Sequence, residues 1–168
     1  MIRTATGMDV ERLMNNVMGR PHLYAHVVVC SPFIDEQMQG VLVRLAQVTR
    51  HVGCGLRVIT TPTTAVALLG RLPGHPATWH GVIVARIGLH AKVYLVLARP
   101  RGCSEAIVTS ANFTAAGVAE NIELGVRASP STDSGRQLIN EVRHFLQRVG
   151  SRGQSTKASH GITRGYDE

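Results

Sequence analysis

The sequence predicts an α/β fold, a mixed, largely parallel β-sheet with helices on both faces, and three observations carry that expectation. Apolar, β-branched runs at His26 to Cys30, Leu56 to Thr60 and Leu89 to Val96 read as strands. Amphipathic stripes at helical spacing flank them, at Met8 to Met18 and Leu138 to Val149. The strand-helix-strand order from His26 to Thr60 implies a right-handed parallel crossover.

Each element follows from local signals. Met8, Leu13, Met14, Val17 and Met18 share a helical face, and Gly19-Arg20-Pro21 stops that helix. After the strand at His26 to Cys30, Ser31-Pro32 turns the chain into a helix from about Asp35 to His51, with Asp35 and Glu36 at its positive end. Gly53-Cys54-Gly55 ends it, and Leu56 to Thr60 is the next strand. Thr63 or Thr64 caps a further helix reaching Leu72, broken by Pro73-Gly74. Val82 to Ile87 alternates and leads through a turn at Gly88 into a strand carrying His90. Ala106 to Thr109 and Ile122 to Arg127 are further strand segments. Leu138, Ile139, Val142, Phe145, Leu146 and Val149 form the stripe of a last helix, from about Asp133 to Val149, that packs on the sheet. One domain over 1–149 is expected, followed by a flexible tail over 150–168, which is rich in Gly, Ser and Thr and has no periodicity. There is no internal repeat.

A chain of 168 residues is the size of one domain with a real core. Its formal charge of +7, from 18 basic against 11 acidic residues, would draw a polyanion. Coding bias toward Arg explains the same excess equally well, since Lys92 and Lys157 are the only lysines. Cys30, Cys54 and Cys103 form no CxxC pair and read as reduced and structural. No signal-peptide core follows Met1 and no apolar stretch is long enough to cross a membrane, so a cytoplasmic location is the expectation.

Several chemistries are excluded by pattern. The eight histidines include no HExxH or HxH, and no cysteine pair has zinc spacing, so no metal and no cofactor is expected. There is no GxxxxGK[ST] loop, and Gly53-Cys54-Gly55 precedes a strand instead of following one, so it is a helix end and not a dinucleotide loop. Trp79 and His80 lie in a Gly/Pro-bounded loop, where covering the core is favoured over stacking on bases.

One cluster of motifs carries chemistry. His90 and Lys92 stand two residues apart within an apolar, β-branched run, the spacing that aims both side chains at one face of a strand, and Ser110 and Asn112 repeat it. With Glu123 in Asn121-Ile122-Glu123, the chain holds a nucleophile or general acid, a fixed positive charge, two hydrogen-bonding groups and a carboxylate able to orient an imidazole. Such a set can attack a phosphodiester without a metal. Singly, each residue reads as a solvated strand or turn residue; their joint occurrence favours catalysis.

The order and spacing, His90-Ala91-Lys92, then Ser110-Ala111-Asn112-Phe113-Thr114, then Glu123, resemble the HxK…SxN…E signature of the phospholipase D superfamily, most closely its small single-motif bacterial nucleases. Leu97 stands where the family motif often carries Asp, and Thr109 where it carries Gly. The resemblance implies a phospholipase D-like fold and a metal-independent endonuclease that cleaves DNA, with RNA as a further substrate, through a phosphohistidine at His90. Lys92 and Asn112 would hold the phosphate oxygens, Ser110 would line the phosphate pocket or fix its loop, and Glu123 would accept a hydrogen bond from the imidazole. Because the motif occurs once, the second histidine must be His90 of another copy, so the resemblance implies a homodimer. Two alternatives stand beside this reading. One is a nuclease subunit working only within a larger assembly, beside a helicase or translocating ATPase. The other is a phospholipid phosphodiesterase, disfavoured by an aromatic content of 4% and no membrane-binding element.

Overall fold

The computed structural model describes residues 1–71, 81–121, 123–151 and 154–157. Trp79, His80 and the end of the helix expected to reach Leu72 lie outside them. In chain order the elements are β1 (Ile2–Ala5), α1 (Gly7–Gly19), β2 (Tyr24–Cys30), α2 (Glu36–His51), β3 (Gly55–Thr60), α3 (Pro62–Arg71), β4 (Gly81–Ala85), β5 (Val93–Ala98), β6 (Glu105–Thr109), β7 (Gly125–Ala128), α4 (Asp133–Ser151) and β8 (Gln154–Lys157).

The strands form one mixed sheet in the order β1-β7-β6-β5-β2-β3-β4-β8. Pairing is parallel across β2, β3 and β4, where α2 and α3 supply crossovers. Every other neighbouring pair is antiparallel. The sheet is therefore mixed but not largely parallel. β5 turns into β6 through Arg99 to Ser104, too short a connection for the crossover that a parallel return requires, so these strands pair antiparallel.

Strands at the centre are buried on both faces, which explains their unbroken apolar sequences. Val27, Val29, Tyr94, Val96 and Ile107 face α1, α2 and α3, whose Leu13, Leu42, Leu45 and Leu68 complete that core. Cys30, Val93, Leu95 and Ala106 face the other way, toward Ile139, Val142 and Leu146 of α4. Asp35 caps α2, its Oδ1 accepting the Met38 N–H at 2.9 Å, and Gly53 adopts the left-handed conformation, with φ of 64°, that reverses the chain after it. The helix expected from Thr63 or Thr64 starts earlier, at Pro62; Ala65 N–H bonds back to the carbonyl of Thr61 at 2.9 Å. Cys30 and Cys54 are buried, Cys103 is exposed, and all are unpaired. Burial pushes the Cys30 thiol up to about 12, which suits an inert packing role.

Both edges of the sheet hold strands that the sequence reading passed over. Ile2–Ala5 pairs with β7, and Gln154–Lys157, assigned above to the tail, pairs with β4. α4 also runs two residues past the expected Val149, to Ser151. β1 is tied down through Asp9 at the start of α1, whose carboxylate meets Arg12, Arg127 (3.3 Å) and Arg3 (3.6 Å). Burial opposes the Asp9 charge, but the Thr6 N–H, Arg12 and Arg3 outweigh it and hold the carboxyl below its ordinary value. A depressed folded-state pKa contributes stability that is complete above the unfolded value, near pH 4, and is lost as pH falls through the folded one. Urea midpoints are therefore expected to drop below about pH 4, and to drop less in Asp9→Asn, which has no such carboxylate to protonate.

Among the described residues, no helix is long and apolar enough to cross a membrane, and no group of three or more His, Cys, Asp or Glu is placed to hold a metal ion.

Candidate active site

The antiparallel register assembles the site. Val93 pairs with Val108 and with Cys30, so the residues before β5, those after β6 and those after β2 leave the sheet at one edge. The carboxyl ends of β3 and β4 reach the same edge because they run parallel to β2. Ligands of open α/β sheets bind at that end of parallel strands. The ladder continues past the strands: Thr109 N–H bonds to the carbonyl of Lys92 at 3.1 Å and Ser110 N–H to that of Leu124 at 3.0 Å. His90, Lys92, Ser110 and Glu123 thus converge from three separate segments.

His90 and Lys92 precede β5 instead of sitting within it, after a turn in which Gly88 has φ of 68°. His90 and Ser110 are exposed, while Lys92, Asn112 and Glu123 are half-buried. His90, Lys92 and Ser110 line one open cleft of about 670 Å³, floored by Val93 and Val108 and walled by Phe145 and Arg148 of α4. Asn112 lies two residues beyond Ser110, its buried Oδ1 without a hydrogen-bond partner.

One expected contact is replaced. The Glu123 carboxylate, assigned above to the His90 imidazole, instead accepts the Ser110 hydroxyl on Oε2 and the Asn121 amide on Oε1 at 3.4 Å. The reason is local: Ser110 pairs with Leu124 through backbone and side chain, its Oγ accepting the Leu124 N–H at 3.1 Å, which sets the adjacent carboxylate over the serine. Glu123 thereby fixes the Ser110 rotamer and the edge of the cleft.

The loop carrying Ser110 and Asn112 is held from beneath by residues that the motif does not include. Tyr94 Oη donates to the carbonyl of Ala111 at 2.9 Å, and its ring packs on fully buried Phe113 at a centroid distance of 5.7 Å. Ser31 Oγ accepts the Phe113 N–H at 2.9 Å, and Asp35 Oδ2 accepts the Ala115 N–H at 2.6 Å. A π-helical turn, Ala116–Glu120, follows, packed so tightly on α1 that a Cβ on Gly7 would lie 2.2 Å from the carbonyl oxygen of Gly117. Asp35 is legible as a helix cap, but its second role depends on a contact 80 residues away along the chain. Asp35→Ala is expected to lower unfolding free energy by about 1–2 kcal/mol in urea titrations, and Asp35→Asn, which keeps one accepting oxygen, by about half as much.

Solved structures of similar fold are found over nearly the whole chain. Nuc, a phospholipase D family member from Salmonella typhimurium, superposes with a TM-score of 0.61 at 13% identity, covering 94% of this chain and 97% of that one. NucT from Helicobacter pylori gives 0.52 at 13% identity, covering 89% of this chain and 98% of that one. A polyphosphate kinase from Porphyromonas gingivalis gives 0.56 at 12% identity, covering 87% of this chain but only 22% of the kinase. No protein-family model and no curated protein matches the sequence. At these identities the likeness concerns the backbone: the fold is phospholipase D-like.

Proposed function

We propose that this chain, with its phospholipase D-like fold, is a metal-independent phosphodiesterase that cleaves DNA and works as a homodimer. The observation that carries the reading is the convergence of His90, Lys92 and Ser110 on one open cleft at the strand ends of that fold. The formal charge of +7 favours a polyanionic substrate.

In this reading the His90 imidazole attacks phosphorus in line, a P–N bond forms, and the P–O bond to the leaving nucleoside breaks. The departing oxygen takes a proton from the partner subunit's His90. That histidine, now neutral, removes a proton from water, the hydroxide attacks the phosphohistidine, and the P–N bond breaks to release a phosphate monoester and free imidazole. Lys92 and the Asn112 amide hold the non-bridging oxygens as charge builds on them. Ser110, fixed by Glu123, shapes the pocket edge.

A shared site needs a surface that brings two copies together at this edge. Phe33, Ile87 and Leu124 supply apolar area there: they follow β2, follow β4 and precede β7, and are 61%, 87% and 70% exposed. Solvent-facing apolar groups of this size around one functional edge favour a partner surface. The purified protein is expected to cut plasmid or single-stranded DNA in EDTA and to scatter light as a species of about twice the 18.1 kDa chain mass. Activity only after magnesium is added would rule out the chemistry; a fully active monomer would rule out the shared site.

A further inference from the structure

The cleft has a wall that the bond-breaking steps leave unused. α4 begins beyond the far end of β7 and runs back toward the catalytic edge, so Arg148, near the end of α4, comes closer to that edge than Glu141, two turns earlier. Phe145 and Arg148, three residues apart, share one side of the helix, and both line the cleft with His90 and Lys92. Phe145 is half-buried and Arg148 exposed, and among the described residues no carboxylate pairs with the Arg148 guanidinium. Glu141, which also lines the cleft, accepts the Gln137 amide at 2.9 Å. Phosphate is thus favoured toward the Arg148 end and repelled toward Glu141.

A cleft of about 670 Å³ with an apolar floor, an aromatic wall and a cation beside that wall fits one nucleoside and its neighbouring phosphate. We infer that this wall seats the nucleotide next to the scissile phosphate, its base against Phe145 and its outer phosphate on Arg148. The inference rests on the phosphodiesterase reading and names its substrate class as single-stranded nucleic acid, because a base reaches Phe145 only after leaving its stack.

The test measures binding apart from cleavage. A labelled single-stranded oligothymidylate is titrated, in EDTA, against full-length His90→Gln and against the same chain with Arg148→Gln or Phe145→Leu. Arg148→Gln is expected to weaken binding about tenfold and to reduce the slope of log K against log salt by about 0.7, the value of one phosphate contact on a single strand. Phe145→Leu keeps an apolar side chain in the wall but removes the π-face. It is expected to weaken the base-bearing strand about tenfold and to leave an abasic strand of equal length unaffected. Equal weakening of both strands by Phe145→Leu, an unchanged salt slope in Arg148→Gln, duplex bound as tightly as single strand, or displacement of the strand by phosphatidylcholine vesicles would each overturn the assignment. Wild-type cleavage in EDTA is scored separately: binding that follows the expected pattern without any cleavage sustains the nucleotide seat and overturns the phosphohistidine chemistry alone.

Discussion

His90→Ala is expected to abolish phosphodiester cleavage, lowering kcat by at least about 10⁴-fold, while the chain remains folded. The effect is large because, in the proposed dimer, one substitution removes two functions from a shared site: the nucleophile of one subunit and the general acid of the other. His90 is exposed and outside any strand, so its loss leaves a gap in neither core, and unfolding free energy should change by no more than about 0.5 kcal/mol. A mixing experiment separates a shared site from two independent ones. When wild type and His90→Ala are unfolded together in equal amounts and refolded, about a quarter of random dimers carry two imidazoles. A shared site then retains about a quarter of the activity of the same amount of wild type, whereas independent sites retain about half. Retention of half would place both chemical roles within one chain and remove the need for Phe33, Ile87 and Leu124 to meet a second copy.

What could be read from the sequence was local or periodic. α1, α2 and α4 announce themselves through apolar spacing and the caps at their ends, and β2, β3 and β5 through runs apolar on both faces. The order of the motifs placed His90, Lys92 and Ser110 near one another because both motif segments adjoin strands. β1 and β8 carried no such signal: Ile2-Arg3-Thr4-Ala5 and Gln154-Ser155-Thr156-Lys157 are short and largely polar, as edge strands are, and are strands only because a neighbour offers unpaired backbone groups. Strand direction was misjudged for a related reason, since the pairing of β5 between β2 and β6 is a long-range choice that no window of sequence contains. At the site, the turn of Glu123 toward Ser110 depends on the pairing of Leu124 with Ser110, and the support from Ser31 and Asp35 crosses from the far half of the chain. Phe145 was legible as part of an apolar stripe, but its place in the cleft wall required the angle at which α4 crosses the sheet.

Phe113→Ala is expected to produce the largest loss of stability, about 3–5 kcal/mol, a large share of the 5–15 kcal/mol that holds a domain of this size folded. Phe113 is fully buried, packed on the ring of Tyr94 and joined to the chain at Ile34 by a parallel bridge, so little around it can collapse into the space left. Phe113→Leu should cost much less, because an apolar side chain of similar bulk keeps most of the contacts. Tyr94→Phe probes the same cluster from the other side. Burial pushes the Tyr94 hydroxyl up, so it stays protonated and donates to Ala111; removing it strands a buried carbonyl at a cost of about 1–3 kcal/mol. The two side chains touch, so the double variant should lose less than the sum of the single losses in urea titrations. The same cluster ties stability to function, because Asn112 stands between Ala111, held by Tyr94, and Phe113, held by Ser31. A Phe113→Leu chain that stays folded should therefore cut DNA more slowly with KM little changed, since it loosens Asn112, the group proposed to steady the charged phosphate, more than it disturbs the cleft where substrate first binds. If kcat in that variant matched wild type, the SxN loop would be held well enough by its backbone alone.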